Sequence, residues 1–376
     1  MTLRVLHAAT HGHNIGDGAL VAGIHRTLRE DLGVDIEFHP LDVLGCKLRG
    51  RRDMLPRSEA KDLHRHYDMI LVGGGGMIEG GKGNFWSGIN FNFHLDVLRD
   101  SSIPWVFYAL GENRFRRTFF FHRRRLRKLV ALAEEGGHLF SVRNDGSEER
   151  LRRRVGGQAE LTTIPDPGLW VPPGPGTVPE VAGAEGPRVL LQLAGDRPGR
   201  RFGWWRKRFM RRLAATLEEL ISERGAHVVL CPHLLGDIAL FSELLEVLPA
   251  RVLRESMTLT PVLNGVGAAP TFFDRYRQVD LVLGMRGHST ICAVGAGTPV
   301  IGLASHDKVG GFLEEIGLGD WVVDLDEDRK LVGLGELAGR LLDDLDSARG
   351  RVRNLLPELR QQTRSFHRRI AERLDL

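Results

Sequence analysis

Short apolar segments alternate with helical patterns along almost the whole of this chain, and this alternation constrains the fold more than any other feature. Apolar stretches bounded by glycine or proline are typical of buried strands, and the longer periodic segments between them have the length of crossover helices. The stretch 171–187 breaks the pattern, because proline removes backbone donors and glycine is costly to order. We therefore predict an α/β protein with two Rossmann-like domains, 1–170 and 188–376, and a linker at 171–187.

The same patterns predict the individual elements. In the first domain, strands are expected at 3–9, 35–40, 69–73, 105–110 and 138–141, and helices at 17–32, 91–99, 119–133 and 147–154. In the second domain, strands are expected at 189–193, 228–231, 281–283, 300–303 and 321–323, and helices at 205–223, 238–248, 289–294, 309–316, 331–345 and 348–374. Two such domains facing a cleft form the GT-B architecture of glycosyltransferases, in which a final helix often crosses back to the first domain.

Composition is typical of a globular protein that works in the cytoplasm. Hydrophobic residues make up 42% of the 376 residues and charged residues 27%, and the net charge of +4 is small for this length. The chain has no apolar run near the ~18 residues that span a bilayer, and its first residues have the pattern of a strand rather than of a signal peptide. Cys46, Cys231 and Cys292 are widely spaced without a CxxC pair, so we expect no disulfide framework, no metal site and a reducing compartment.

The most informative motif is the segment 284–300. A buried strand is expected to end at Gly284, and Arg286 and His288 follow at once, with Ser289 as a candidate N-cap of a short helix. In a parallel sheet this turn lies at the carboxyl end of the strands, where ligands bind. An arginine and a histidine at such a turn combine an anion clamp with a proton donor.

Two glycine-rich segments follow strands of the first domain. In the segment 11–19, Asp17 is a candidate helix cap, and Asn14 and Asp17 are candidate ligands for sugar hydroxyls; a plain strand-to-helix turn explains the same residues equally well. In the segment 73–84, consecutive glycines permit a ligand, or another stretch of chain, to approach the backbone closely. Neither segment matches the GxGxxG or Walker A pattern.

Several other polar residues are expected at strand ends. Arg143 is a candidate second anion clamp, His233 a candidate binding residue, and Lys308 stands near a helix start where phosphate often binds. The alternatives are a surface arginine, a capping turn that includes Asp237, and a solvated lysine.

Two segments, 114–128 and 200–212, are both basic and aromatic. Such segments suit the anionic surface of a membrane, with aromatic rings at the level of the headgroups. They also suit nucleic acid, or they are solvated helix faces whose aromatic side chains lie in the core. We expect peripheral membrane contact and no nucleic-acid partner.

Taken together, these motifs resemble those of the polysaccharide pyruvyl transferase family. The resemblance extends, in the family's order, over nearly the whole chain: Asn14-Ile15-Gly16-Asp17, the glycine run 73–76, Ser141-Val142-Arg143, Asp166-Pro167, Arg286-x-His288, and Gly297-x-Pro299 followed by Asp307-Lys308. The block from Arg286 to Lys308 is the most specific part. Many relatives carry a bulky aliphatic residue where this chain has Gly287, and this departure leaves the acceptor open.

The resemblance implies transfer of the enolpyruvyl carbons of phosphoenolpyruvate (PEP) to two hydroxyls of one sugar in a bacterial cell-surface polysaccharide or its lipid-linked precursor. A cyclic ketal forms and phosphate leaves, with PEP as donor substrate and no other cofactor. Because PEP is a small polyanion, Arg286 and Arg143 are expected to clamp it, with Lys308 as a third cation. Histidine holds a proton near neutral pH, so His288 is the expected general acid. The expected acceptor-binding residues are Asn14, Asp17, Gly74, Gly75, Glu79, Asn84 and His233, with Asp17 and Glu79 as candidate bases.

Two other functions fit the same sequence. A nucleotide-sugar glycosyltransferase or epimerase would use the glycine turns and Arg286 to hold a diphosphate. A non-catalytic glycan-binding protein would keep the fold without the reaction, because fold alone does not determine chemistry.

Overall fold

The computed structural model describes residues 2–12, 14–79, 84–113, 120–156, 161–176, 185–305, 307–325 and 331–376. The chain forms two compact units. The first unit contains Met1–His13, Leu20–Trp170 and Glu358–Leu376, and the second contains Asn14–Ala19 and Val171–Pro357. Neither unit is continuous in sequence, which differs from the contiguous division predicted above.

A six-stranded parallel sheet forms the centre of the first unit, with the strand order β2-β1-β3-β4-β5-β6. Its strands are β1 (Thr2–Ala9), β2 (Asp35–Asp42), β3 (Met69–Glu79), β4 (Trp105–Asn113), β5 (Leu139–Arg143) and β6 (Thr162–Ile164). The helices that connect them are α1 (Ile15–Leu32), α2 (Val43–Leu48), α3 (Arg57–Ala60), α4 (Leu63–His66), α5 (Leu95–Arg99), α6 (Arg123–Glu135) and α7 (Ser147–Val155).

The glycine run of the first unit lies inside a strand and not after one, as the sequence had suggested. Strand β3 continues to Glu79, and Gly73, Gly74 and Gly75 have positive φ angles of 147°, 77° and 119°. A Cβ on Gly73 would overlap the backbone of Tyr108 on the neighbouring strand β4. The expected loop is therefore an irregular stretch of strand, which only glycine can adopt at this distance from its neighbour.

A second prediction, a helix over 91–99, is only partly correct. The helix α5 contains the last five residues of that range, and the residues before it belong to no helix or strand. Phe91 and Phe93 are buried while the Asn92 amide donates to the backbone oxygen of Arg52 at 2.7 Å. Phe91, Asn92 and Phe93 are all buried, so the pattern in the sequence does not correspond to one buried face of a helix.

The second unit has its own six-stranded parallel sheet, ordered β12-β11-β10-β7-β8-β9. Its strands are β7 (Arg188–Gln192), β8 (His227–Leu230), β9 (Met257–Leu259), β10 (Leu281–Gly284), β11 (Val300–Ala304) and β12 (Val322–Asp324). Chain order reverses between β7 and β10, since β8 and β9 extend the sheet on one side and β11 and β12 on the other. Such a switch point is where open parallel sheets bind ligands.

The helices of the second unit are α8 (Pro198–Arg201), α9 (Arg206–Arg224), α10 (Ile238–Leu245), α11 (Ala250–Glu255), α12 (Ala269–Arg277), α13 (Gly287–Gly295), α14 (Asp307–Glu315), α15 (Val332–Asp343) and the start of α16 (Leu345–Arg373). In the part of the chain that the structure describes, no helix has the length and apolarity needed to cross a membrane.

The long helix α16 contributes to both units. Its first part belongs to the second unit, where Arg349 donates to Asp280 at 2.6 Å. Its last part belongs to the first unit, where Arg360 and His367 both bind Asp31 and the His367 ring also meets the Tyr108 hydroxyl at 2.7 Å. This helix was predicted at 348–374, close to its observed bounds.

Candidate functional site

Arg286 lies at the switch point of the second sheet. Strand β10 ends at Gly284, where a Cβ would crowd the side chains of Ser289 and Thr290 in the first turn of α13. Arg286 itself is the extended N-cap residue of that helix, and its backbone N–H donates to Gln192 Oε1, at the end of β7, at 2.8 Å. Ser289 was expected to be the N-cap; its N–H instead donates to the Arg286 carbonyl, so Ser289 belongs to the first turn.

The Arg286 guanidinium binds two carboxylates of different exposure. Asp237 is fully buried and accepts from Nε at 3.1 Å and from Nη2 at 2.5 Å. Asp196 is 35% exposed, and its Oδ1 lies 2.9 Å from the same Nη2. Burial alone would lower the pKa of Arg286, but Asp237 and Asp196 outweigh it and raise the pKa, so the guanidinium is charged.

Asp237 is held on every side. Besides the guanidinium, its carboxylate accepts backbone N–H groups of His233 at 3.0 Å, Leu234 at 3.1 Å and Gly195 at 2.8 Å. A Cβ on Gly195 would overlap the backbone of Gly236, which keeps the loops after β7 and β8 together. Asp237, considered from the sequence as a helix cap, therefore fixes Arg286 and two loops at once.

Arg201 is a second arginine of this centre, and sequence analysis missed its role. It donates from Nη2 to both oxygens of Asp196, at 3.0 and 3.1 Å, and from Nη1 to Ser305 Oγ, after β11, at 2.9 Å. Burial, with the neighbouring charge of Arg286, lowers the pKa of Arg201 despite the pairing with Asp196. The signal in the sequence was present, since Arg201 begins a basic segment, but that segment was interpreted as a membrane surface.

His288 is in the first turn of α13, two residues after Arg286, and its side chain is half-buried. The ring lies against Gly16, where a Cβ would overlap it. Gly16 is in the first turn of α1, and its backbone N–H donates to Asn14 Oδ1 at 2.9 Å. Asn14, and not Asp17 as expected, is thus the residue whose side chain caps this helix; Asp17 lies half-buried in the first turn.

His233 is placed behind Arg286 and is fully buried. Its Nε2 meets the Tyr276 hydroxyl at 2.7 Å, and that hydroxyl lies 3.1 Å from Ser289 Oγ. Burial, together with the charges of Arg286 and His288, holds the pKa of His233 well below its usual value, so the ring is neutral. Direct contact with an acceptor, as the sequence suggested, would require this ring to be uncovered.

Arg143 ends β5 in the first unit and is buried. Its Nε donates to Asp145 at 2.6 Å and its Nη1 to Asp166 at 2.9 Å, and both carboxylates are buried. Burial opposes the charge, but the two carboxylates outweigh it and raise the pKa of Arg143. A Cβ on Gly111 would overlap the guanidinium, so β4 leaves room for it.

Glu79 and Asn84, both expected in the site, do come together in the first unit. Asn90 joins them: its amide donates to Glu79 Oε2 at 3.3 Å, and its oxygen accepts from Asn84 at 3.2 Å and from Lys47 at 2.5 Å. Burial lowers the pKa of Lys47 although Glu79 partly offsets it. Gly74 and Gly75 are buried within β3, at the start of the same strand segment.

The remaining predicted cations are Lys308 and those of the two basic and aromatic segments. The side chain of Lys308, at the start of α14, lies outside the described part of the structure. Residues 114–119 of the first basic segment also lie outside the described part, whereas Phe121 of the same segment is exposed. In the second segment, Trp205 packs in the core against Phe202 and Phe209, while Trp204 is 81% exposed.

A family model for polysaccharide pyruvyl transferases matches residues 14–307, well over half of the sequence. The chain belongs to the polysaccharide pyruvyl transferase family. The match includes the centre around Arg286 and His288 and also Arg143. Membership identifies this pyruvyl transferase homologue as a transferase that takes part in polysaccharide biosynthesis.

Solved structures of sugar-nucleotide enzymes share the fold of this family member. UDP-GlcNAc 2-epimerase from Methanocaldococcus jannaschii aligns with a TM-score of 0.53 at 15% identity, covering 89% of this chain and 92% of its own. Anabaena HepE in complex with UDP and glucose aligns with a TM-score of 0.53 at 16% identity, covering 99% of both chains. S. aureus MnaA with UDP aligns with a TM-score of 0.56 at 10% identity, covering 93% and 90%. The predicted GT-B-like α/β fold is confirmed.

No curated protein sequence matches the chain significantly. The family therefore gives the type of enzyme, and the solved structures give the fold. Within the described residues, no group of three or more histidine, cysteine or acidic side chains is arranged to hold a metal ion. The donor, the acceptor and the roles of individual residues are questions for the chemistry of the site.

Proposed function

We propose that this pyruvyl transferase uses PEP as donor and forms a cyclic pyruvate ketal on a sugar of a bacterial cell-surface polysaccharide or its lipid-linked precursor. The observation that carries the proposal is the pairing of Arg286 and His288 around the first turn of α13. Arg286 is charged and fixed by Asp237, and His288 follows it by two residues. An immobile guanidinium beside an imidazole is what a small anion that must be protonated requires.

In this proposal the anionic groups of PEP bind cations. Arg286 supplies a fork of donors, which suits carboxylate and phosphate alike. Arg143 and Lys308 are the further cations that the family resemblance implies. Arg143 already binds the carboxylates of Asp145 and Asp166. PEP must therefore join them on the guanidinium or replace one of them.

His288 donates its proton to the vinyl carbon of PEP, which leaves an oxocarbenium-like centre at the neighbouring carbon. A first sugar hydroxyl adds to that centre, phosphate departs, and the second hydroxyl closes the ketal ring. One of the two hydroxyl protons returns to His288, and the other leaves with phosphate or solvent. The protein supplies position and charge, which are the larger part of catalysis for such a step.

The acceptor sugar is proposed to contact the polar residues Asn14, Asp17, Glu79 and Asn84, with the glycine backbone at Gly74 and Gly75. Contact with His233 is proposed only for a state in which its buried ring is uncovered. Asp17 and Glu79 are the candidate bases for its hydroxyls. The cluster of Glu79, Asn84 and Asn90 supports this assignment, because its amides and carboxylate have the chemistry that binds sugar hydroxyls.

Phosphate release from PEP tests the proposed reaction. The wild type, His288→Ala and the control His227→Ala, at the start of β8, are incubated with PEP and a panel of lipid-linked and nucleotide-linked sugars, and mass spectrometry detects the ketal. We expect acceptor-dependent release that falls about 10²–10⁴-fold in His288→Ala, as for loss of a general acid, and stays in His227→Ala. Equal release in both variants would contradict the role of His288, and consumption of a nucleotide sugar without PEP would indicate a glycosyltransferase.

We also propose that the protein contacts the inner face of the cytoplasmic membrane, where a lipid-linked acceptor would be found. In the segment 200–212, Trp204 is exposed beside the exposed cations Lys207, Arg208, Arg211 and Arg212. An exposed aromatic ring among cations suits an anionic headgroup layer. The three other aromatic residues of that segment are buried, so the surface is narrower than the sequence suggested.

Vesicle co-sedimentation tests this contact. Trp204→Ser is expected to weaken binding to vesicles rich in anionic lipid several-fold, since it removes the exposed ring. Val247→Ser is the matched control, because Val247 is also exposed but adjoins Glu246. Unchanged binding of Trp204→Ser, or an equal loss in both variants, would remove this surface from the proposal.

A further inference from the structure

The centre of the second unit contains one carboxylate, that of Asp196, whose contacts are those of a bound anion rather than of a buried structural ion pair. Asp196 is shared by two arginines: its Oδ1 lies 2.9 Å from Arg286 Nη2 and 3.0 Å from Arg201 Nη2. Both arginine side chains are largely buried, with 12% and 7% exposure. Arg201 ends α8 and Arg286 follows β10, and the Nη2 of each lies against the same carboxylate oxygen.

The two carboxylates that bind Arg286 differ in how firmly they are held. Asp237 is fully buried and accepts three backbone N–H groups besides the guanidinium. Asp196 is one-third exposed, and its carboxylate is bound by the guanidiniums of Arg201 and Arg286 and by its own backbone N–H. An anion that enters the centre would meet Asp196 as its competitor, whereas displacing Asp237 would leave several buried donors unsatisfied.

The backbone beside Asp196 is also unusual. Arg197 has φ 53° and ψ 49°, the left-handed conformation that costs a non-glycine residue free energy. The turn is anchored before Asp196 by the Gly195 N–H on Asp237, and after it by the helix α8. The Asp196 carboxylate is thus carried on a strained turn between two anchored segments.

We propose that Asp196 is an internal anion that occupies the position of the substrate's anionic group between Arg201 and Arg286, and that binding of a phosphate or carboxylate displaces it. Arg201 then becomes a second substrate-binding arginine of the second unit, while its Nη1 donates to Ser305 Oγ. This inference rests on the proposed function for the identity of the natural ligand, and on the geometry alone for the exchange of anions.

Charge and burial support the exchange. Burial alone would raise the pKa of Asp196, but Arg286 and Arg201 outweigh it and hold the pKa below its usual value, so the side chain is a carboxylate at neutral pH. While Asp196 is in place, two arginines face two carboxylates. When it leaves, the arginines carry one charge in excess, and an incoming anion balances it.

Calorimetric titration with inorganic phosphate, and separately with PEP, tests the exchange without any need for turnover. Asp196→Asn keeps the size of the side chain and removes the competing charge, so we expect phosphate to bind about tenfold more tightly, in line with the strength of charged hydrogen bonds. Arg201→Gln, with Arg201→Lys as a milder second variant, is expected to weaken phosphate binding about tenfold. Thermal unfolding establishes that each variant is folded.

Asp280→Asn is the matched control. Asp280 also bridges two arginines, Arg188 and Arg349, but it precedes β10 and so lies at the opposite ends of the strands. Its substitution is expected to leave phosphate affinity unchanged.

Phosphate affinity that is unchanged or weaker in Asp196→Asn would overturn the proposal, as would an equal gain in Asp280→Asn or a lack of phosphate binding by every variant. Ketal formation with unchanged phosphate affinity in Asp196→Asn would refute the exchange alone. Tighter phosphate binding in Asp196→Asn without ketal formation from any acceptor would refute the proposed function alone.

Discussion

Arg143 in the first unit and Arg286 in the second follow the ends of parallel strands, and from the sequence both are candidate anion clamps. Their surroundings differ. Arg143 is enclosed by Asp145 and Asp166, which are both buried, whereas Arg286 has one buried partner, Asp237, and one partly exposed partner, Asp196. The comparison teaches that two arginines with the same position at a strand end can differ in how accessible their carboxylate partners are, which the motif of each arginine does not reveal.

The largest difference is expected between Asp166 and Asp196, in the free energy of unfolding after each is replaced by asparagine. In Asp166→Asn, an amide would face the Arg143 guanidinium and the Gly168 N–H, both donors, inside the core. We expect the free energy of unfolding to fall by about 3–5 kcal/mol, as for a broken buried ion pair, and by less than about 1 kcal/mol in Asp196→Asn, where solvent screens the change. Urea denaturation followed by circular dichroism measures both, and similar losses would break the comparison.

The arginines themselves should differ next, in activity. Lysine keeps the charge but not the fork, so Arg286→Lys is expected to lower kcat/KM for PEP about a hundredfold, as for a lost preorganised donor. Arg143→Lys is expected to raise KM for PEP about tenfold, because Asp145 and Asp166 would compete with PEP for the single ammonium group that replaces the guanidinium. Steady-state phosphate release gives both constants. A KM that stays constant in Arg143→Lys would remove Arg143 from substrate contact and leave it a purely structural residue.

A smaller effect is expected at Gly16, which packs against the His288 ring. In a helix, Gly→Ala usually stabilises by ~0.5–1 kcal/mol, but a Cβ on Gly16 would overlap the His288 ring. Gly16→Ala should therefore lower kcat about tenfold by moving the ring, with the fold kept. Gly12→Ala is the control, since its Cβ would meet no atom within 4 Å. Equal kcat values for the two variants would show that the position of the ring is unimportant.

The smallest effect concerns Gly287, the residue that departs from the family pattern. A Cβ there would meet no atom within 4 Å, and Gly287 is not among the residues with positive φ. Gly287→Ala should raise the free energy of unfolding by ~0.5–1 kcal/mol at the first position of α13, with kcat/KM for PEP within about twofold. Thermal unfolding and phosphate release measure the two quantities. A large loss of activity would mean that a ligand needs the open space.

Much of the fold follows from local patterns. Strands such as β1 and β10 are apolar enough to be recognised, and the turn from β10 into α13 could be located because Gly284, Arg286 and His288 lie within five residues of chain. The glycines of β3 misled, because composition reports that a residue can bend and not whether a neighbouring strand such as β4 still pairs with it.

The centre itself could be predicted only in part. Arg286 was found, but Asp196, Asp237 and Ser305 come from the ends of three other strands and meet only after the sheet has formed. Arg201 stands in a segment whose charge and aromatic content favoured a different interpretation. Pairing across a sheet depends on strand order, and a single sequence holds little information on that order.

The sharing of Asp196 by two guanidiniums would make the centre a filter on the shape of an anion. An ion that replaces it must satisfy two forks at once, each with a planar set of donors. A halide ion has a single centre and no planar set of acceptors, while a carboxylate or a phosphate offers separate oxygens that can reach both. Under the proposed exchange, Asp196 would therefore select against small spherical anions and leave the site to oxyanions that can span two arginines.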